Sequence, residues 1–309
     1  MIVALAGGVG AAKFLSGLSR VVGPSRLGVI VNPGDDVWMH GLRVCPDLDI
    51  LAYTLAGIVD EVKGWGIRGD TFECLKQLGQ FGAETWFQLG DRDIATHIFR
   101  TRHLRAGLPL SRITDMIKEA LGVSVKILPM TDDEVETRID TDQGDMHFEE
   151  YLVRERSAPR IKRIYFKGIE NARPSEGTID LIRKAEGIVF CPSNPIVSIG
   201  PILAVPGIRE AIAESPVRKV AISPIVGGKT IKGPADIMLK ALSFEVSPVG
   251  VARAYGGLID AMVMDTRDGH LEPQIRGIVP RVTVTDTIMT DQASKTRLAR
   301  ETMEFMGWD

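Results

Sequence analysis

Four stretches of the chain combine residue types and spacings that can do chemistry. The first, Ala6-Gly7-Gly8-Val9-Gly10-Ala11-Ala12-Lys13, is a glycine turn opening a helix. Glycines let backbone N–H groups approach a phosphate closely, and the helix N-terminus adds a favourable dipole. Gly8 and Gly10 fit the dinucleotide fingerprint, but Lys13 stands where its third glycine belongs. No Gly-Lys-Ser/Thr follows at Walker A spacing either. Lys13 then adds charge to a phosphate site or points to solvent, and a tight turn with no ligand is the plain alternative. The second stretch runs from Asn32-Pro33-Gly34-Asp35-Asp36 through His40 to Pro46-Asp47-Leu48-Asp49, with four carboxylates in fifteen residues. Such a loop suits Mg²⁺ serving phosphates, because Mg²⁺ takes one or two carboxylates plus waters and demands no strict spacing. A solvated acidic loop, with Asp35 or Asp47 capping a helix, is the competing reading.

The third stretch is Cys191-Pro192-Ser193-Asn194-Pro195, whose prolines hold Ser193 and Asn194 on an extended loop. The fourth is Ser223-Pro224-Ile225-Val226-Gly227-Gly228-Lys229-Thr230-Ile231-Lys232-Gly233. Gly227 and Gly228 free its backbone while Lys229 and Lys232 offer charge, as an anion-holding loop needs; a basic surface loop is the alternative. Other candidates are weaker. Gly90-Asp91-Arg92-Asp93 reads as a helix start capped by Asp91 or Asp93. His97 and His103 lie at no metal-ligand spacing and are expected to decorate a helix. Neither G-x-S-x-G nor HExxH occurs, so a serine nucleophile or zinc-bound water is unsupported.

These loops need a scaffold that brings them to one edge. Ile2–Ala6 is a continuous apolar run, as expected of a parallel strand covered on both faces. A helix bearing Phe14, Leu15 and Leu18 follows, then a strand at 27–31: a βαβ unit. From Asp49 to about Leu128 the pattern is mostly helical, including 71–78, 92–105 and 110–121, the last capped by Ser111 or Thr114 and stopped by Gly122. Strands are expected at 125–128, 136–141 and 146–154, the last two joined by a turn at 142–145. An α/β rhythm resumes with strands at 161–166, 187–191, 217–223, 261–265 and 282–284. Helices at 176–185, 207–214, 234–242, 250–257 and 294–306 alternate with them. The expected fold is α/β: a doubly wound, mainly parallel Rossmann-like sheet with a mostly helical inserted region. Residues 1–48 and 160–309 are expected to form the nucleotide-binding core, and 49–159 a mostly helical insertion with a β-hairpin.

Composition sets the outer bounds. The 309 residues are 44% hydrophobic and 25% charged, which supports a buried core and excludes disorder as the main state. Lys and Arg total 37 against 40 Asp and Glu, so bulk attraction to nucleic acid is disfavoured. Cys45, Cys74 and Cys191 are far apart, which fits thiols of a reducing cytoplasm. The segment at 187–208 is broken by Pro192, Pro195, Pro201 and Pro206, and the first apolar run lacks a basic lead-in. Neither a membrane span nor a signal peptide is expected.

Taken in order, AGGVGAAKFLSGL, VIVNPGDDVWMHGLRVCPDLD, GIRGDTFECLKQLG, FQLGDRD, FCPSNPIVSIGPIL and SPIVGGKTIKGPA resemble the 2-phospho-L-lactate transferase family, in an archaeal form. Asn32-Pro33 stands where the family more often has Asn-Thr. The resemblance implies transfer of a 2-phospholactyl or phosphoenolpyruvyl group from a guanosine diphosphate-linked donor. The acceptor would be the ribityl hydroxyl of the deazaflavin Fo, releasing GMP in a Mg²⁺-dependent step of coenzyme F-420 biosynthesis. By the same resemblance, Asp47 and Asp49 are catalytic, and Asp47 and Gln88 meet Fo. Asp35, Asp47 and Asp49 are the implied metal ligands. Gly7, Gly8, Gly10, Lys13, Asn32, Asn194, Ser223, Gly227 and Lys229 would face the nucleotide. A cytoplasmic homodimer is expected, with small-molecule partners and neither nucleic acid nor membrane. Two other classes compete. A nucleotide-sugar-binding regulator of the same superfamily would carry a Gly/Ser-rich stretch where Val37-Trp38-Met39-His40 stands. An NAD-binding oxidoreductase would close its second strand with an acidic residue, where this chain has Asn32.

Overall fold

The computed structural model describes residues 1–308. Strand β1 (Ile2–Ala6) is buried throughout. Val3 and Leu5 pack on one face, and Ile2, Ala4 and Ala6 on the other, so two apolar layers cover it. Helix α1 (Gly8–Val22) leads to β2 (Leu27–Val31), parallel to β1 with Ile2 opposite Leu27. A hairpin of β3 (Val37–Met39) and β4 (Leu42–Val44) follows, then four helices: α2 (Pro46–Leu55), α3 (Glu73–Gln80), α4 (Asp91–Arg105) and α5 (Leu110–Ala120). Only then does β5 (Lys126–Pro129) pair with β2. Strands β6 (Glu136–Thr141), β7 (Gly144–His147) and β8 (Ile161–Lys167) form a separate antiparallel sheet.

The chain next passes through α6 (Thr178–Arg183), β9 (Gly187–Phe190), α7 (Ile199–Ala204), α8 (Ile208–Glu214) and β10 (Lys219–Ile222). A two-stranded ribbon, β11 (Ile225–Val226) and β12 (Lys229–Thr230), precedes α9 (Ala235–Ala241) and α10 (Pro248–Ala254). Strand β13 (Ala261–Asp265), α11 (Glu272–Arg276), β14 (Arg281–Thr285) and α12 (Gln292–Met306) complete the fold.

The central sheet has the order β14-β13-β10-β9-β1-β2-β5, and every neighbouring pair is parallel. The chain winds outward from β1 to β5, then returns to β9 and winds the other way. The doubly wound Rossmann-like fold expected from the sequence is therefore present, with its switch point between β1 and β9. Ligands of such sheets bind outside the strand C-termini at this crevice.

Several local expectations change. Residues 146–154 are not one strand: β7 ends at His147 and a helical turn spans Glu150–Arg154. Strand β8 joins β6 rather than the central sheet, while β5, inside the expected insertion, is a central-sheet edge. Neither Ser111 nor Thr114 caps α5; Asp132 accepts from the Ser111 N–H at 2.6 Å, and Thr114 donates to the Leu110 carbonyl. Asp91 caps a different helix from its own. It accepts from the Glu73 and Cys74 N–H groups of α3, while Asp70 accepts from Arg92 and Asp93 of α4. This reciprocal exchange satisfies free N–H groups of both helices and ties them together.

Candidate active site

A cavity of about 460 Å³ opens at the switch point. Its floor comes from the turns after β1 and β9. Ser193 joins them, donating to the Gly7 carbonyl at 2.9 Å and accepting from the Gly7 N–H at 3.3 Å. Gly8 has φ +76°, a conformation that costs glycine little. A Cβ on Gly10 would collide with the Pro192 carbonyl, so the α1 N-terminus and the β9 loop touch only because glycine is there. The Gly7 and Gly8 N–H groups are taken by Ser193 and Asp47, while Val9 and Gly10 line the cavity in the first turn of α1.

One wall is acidic. Proline at the first turn of α2 starts that helix and places Asp47 and Asp49 in its first turn. Asp47 Oδ1 accepts from the Gly8 N–H at 2.7 Å, and Oδ2 from Asn32 Nδ2 at 3.4 Å. Asp35 lines the same wall with a buried Oδ1 that has no partner. Glu149, from the turn after β7, lines it as well. Burial pushes Asp47 up to about 7 and Glu149 up to about 8, with neighbouring carboxylates adding to the rise. Asp35 is raised well above its ordinary value by burial and by the charges of Asp47 and Glu149.

Beside this wall lies a buried ionic network. Arg100 of α4 is 1% exposed and pairs with Asp49 Oδ1. Its Nη1 also donates to the Arg43 carbonyl at 3.2 Å and contacts His97 Nδ1 at 3.1 Å. Arginine only donates, so Nδ1 of His97 accepts and Nε2 carries the proton, 3.5 Å from Asp93 Oδ1. Tyr53 donates to Asp93 at 2.7 Å. Burial works against both ions, but Asp49 outweighs it and holds Arg100 charged. Ligand atoms of Asp49, Asp93 and His97 all lie within 4.8 Å of one another, an arrangement compatible with a divalent metal once Arg100 or the Nε2 proton leaves His97.

The remaining walls are basic and apolar. Lys13 lines the cavity and donates to the Met289 carbonyl at 3.2 Å; burial and then Lys232 lower its pKa. Lys232 also lines it, and reaches across to the Lys63 carbonyl at 2.8 Å. Ile50, Tyr53, Trp65, Phe87, Phe148 and Leu152 supply its apolar lining.

Most expected site residues meet here: Gly7, Gly8, Gly10, Lys13, Asp35, Asp47, Asp49, Gln88, Asn194 and Ser223 all line the cavity. Gln88 is at the rim, its Nε2 donating to the Thr85 carbonyl. Asn194 Nδ2 is buried without a partner, while its Oδ1 accepts from Ile196 N–H. Three expectations are corrected. Asn32 is fully buried behind Asp47, its amide spent on Asp47, the Val197 carbonyl and the Gly34 N–H. Gly227 and Lys229 belong to the exposed end of the β11–β12 ribbon, and Lys232 is the lysine that reaches the cavity. His97, expected on a helix surface, is 1% exposed. Asp93 and His97 are four apart and share a helix face, but their meeting with Asp49 needs α2 and α4 packed together. Glu149 carried no motif at all.

Residues 2–299 match the model of the family described as 2-phospho-L-lactate transferase CofD. A phosphoenolpyruvate transferase of Streptomyces griseus is 44% identical over 309 residues, covering 98% of this chain and 97% of that protein. Phosphoenolpyruvate transferases of Nocardia farcinica and Mycobacterium tuberculosis are 39% and 38% identical, each over 99% of this chain and 95% and 98% of their own lengths. All three are bacterial. A solved structure of a UPF0052 family protein from Bacillus halodurans superposes with a TM-score of 0.63 over 98% of both chains; at 19% identity it shows the fold alone. The chain belongs to the 2-phospho-L-lactate transferase family, and it is an enzyme, a transferase of coenzyme F-420 biosynthesis.

Proposed function

We propose that this chain moves a phosphoenolpyruvyl group, or its 2-phospholactyl counterpart, from a guanosine diphosphate-linked donor to the ribityl hydroxyl of Fo. The similarity to phosphoenolpyruvate transferases favours enolpyruvate. One observation carries the reading: a single cavity joins a glycine turn at a helix N-terminus, buried carboxylates, two lysines and an aromatic side. A diphosphate, a transferring phosphorus and a deazaflavin ring each find matching chemistry there.

In the reaction the acceptor oxygen bonds to the phosphorus that carries the three-carbon acid. The bond from that phosphorus to the GMP oxygen breaks. Asp47 is fixed by Gly8 and Asn32 and takes the proton of the attacking hydroxyl. Asn32 is thus a positioning residue. Lys13, Lys232 and the first turn of α1 at Val9 and Gly10 bind the donor phosphates, and the free Asn194 amide offers a further donor. Asp35 and Asp47 present the oxygen ligands that Mg²⁺ prefers, whereas Asp49 is committed to Arg100. Bound there, Mg²⁺ would neutralise charge developing on the phosphate oxygens. Trp65, Phe87 and Phe148 of the 49–159 stretch cover the acceptor, with Gln88 at its rim.

The test incubates the protein with Fo, Mg²⁺ and each guanosine diphosphate-linked donor in turn, and reads product mass and GMP. Enolpyruvyl product is expected. Absence of any Fo adduct with every donor would sink the reading. Sedimentation checks the expected homodimer, and among the described residues no helix is long and apolar enough to cross a membrane.

A further inference from the structure

Between α2 and α3 the chain makes a loop whose base closes where Val59 pairs with Ile67. Both are buried with Ala12, Ile50 and Tyr53, which seats the base on α1 and α2. Asp60 accepts from the Val62 and Lys63 N–H groups at 3.0 and 3.1 Å, and Lys63 Nζ lies 5.5 Å from the Trp65 ring, so the tip is folded on itself. Trp65 and Gly66, on the returning arm, line the cavity. Two lysines from the far half of the chain hold the tip. Lys232 donates to the Lys63 carbonyl at 2.8 Å, where a Cβ on Gly64 would collide with its ammonium. Lys295 of α12 donates to Glu61 at 2.8 Å. Lys295 is 4% exposed, and among the described residues Glu61 is the group that hydrogen-bonds its ammonium. A buried ammonium is costly without such a partner, so burial of Lys295 favours the loop in this position.

We infer that residues 60–66 form a strap on the cavity, and that Lys295 is a positioning residue which holds the strap through Glu61. The two latches differ in kind. Lys232 lines the cavity, so its ammonium is shared between the Lys63 carbonyl and a donor phosphate. Lys295 is outside the cavity lining and keeps Glu61 whichever way Lys232 turns. Glu61 also offsets the mutual repulsion of these cations: burial, then Lys232, then Lys295 lower the pKa of Lys13, and Glu61 opposes the fall. With Lys232 drawn to the donor, the Lys295–Glu61 pair keeps Trp65 against the acceptor. That last role rests on the function proposed above, whereas the strap and its latch rest on the contacts alone.

The experiment digests the whole native protein with trypsin, without substrate, and follows by mass spectrometry the cut after Lys63. The cut after Arg156, an exposed residue on a different loop, is the control. Glu61→Gln and Lys295→Met should each speed the cut after Lys63 by about two- to fivefold, because the protease takes the opened strap and loss of a part-exposed ion pair shifts that population by about this much. Glu61 is exposed, so its variant covers a Lys295 variant that fails to fold. Cleavage after Arg156 should stay as in wild type. In the transfer assay the same variants should raise KM for Fo by about two- to fivefold and change kcat less. Wild-type cleavage after Lys63 in both variants overturns the inference, as does a rise matched after Arg156, which marks general loosening. Faster cleavage after Lys63 alone upholds the strap even where no Fo adduct forms with any donor. Faster cleavage with an unchanged KM for Fo removes Lys295 from acceptor positioning.

Discussion

Replacing Arg100 by methionine tests whether the buried network is a paired ionic unit. The guanidinium is 1% exposed, and its partner Asp49 is 6% exposed. Methionine fills similar space but leaves the Asp49 carboxylate buried with no cation, and the Arg43 carbonyl loses a donor. Breaking one side of a buried pair costs about 3–5 kcal/mol. With about 2.1 cal/mol/K of unfolding entropy per residue, 309 residues give about 1.5 °C per kcal/mol. Differential scanning calorimetry at pH 8 should then show a melting point about 5–8 °C lower. Asp49 is already raised by burial, and loss of Arg100 raises it further. A carboxyl whose folded value exceeds its unfolded one destabilises above that value and is relieved as pH falls. The deficit relative to wild type should therefore shrink at about pH 5. Arg100→Met combined with Asp49→Leu should recover most of the loss, because an apolar pair replaces the ionic one. An unchanged melting point, or a deficit that persists at low pH and in the double variant, refutes the paired-ion account.

Further outcomes follow from the same geometry. Asp47→Ala should lower kcat by about 10²–10⁴-fold in the Fo transfer assay while donor binding, read by calorimetric titration, survives; near-normal turnover would remove Asp47 from proton transfer. Metal-free protein should lose thermal stability as pH rises from about 4 to about 8, because Asp36 at about 6, Asp47 at about 7 and Glu149 at about 8 all hold protons longer in the folded state. Mg²⁺ should flatten that slope, and a flat metal-free profile would contradict the burial of these groups. Asp268 is buried and accepts from the Gly227 N–H at 2.9 Å. Asp268→Ala should loosen the ribbon that leads to Lys232, raising KM for the donor more than it lowers kcat; equal KM values would show that the ribbon does not set donor affinity.

The apolar runs and glycine turns made β1, β2, β13 and the doubly wound sheet legible in the sequence. These signals are local: a strand covered on both faces is apolar throughout, and a turn with φ +76° at Gly8 selects glycine. The family motifs likewise marked Gly7, Asp35, Asp47 and Asn194, since each loop follows a core strand or opens a helix. What lay beyond the sequence was pairing at a distance. Asp91 looked like a cap of its own helix, yet its carboxylate serves α3, because two helix N-termini face each other only after packing. Lys229 and Lys232 were equal by composition, and the two-residue strands of the ribbon decide which one reaches the cavity. Glu149 and Arg100 carried no signal, for a lone charged residue shows its role only through what burial denies it. Sequence alone determined the sheet, its glycine turn and the acidic character of the site. Tertiary structure decided which carboxylates share that site and which are already paired, because charge compensation in a low-dielectric interior depends on distances between segments far apart along the chain.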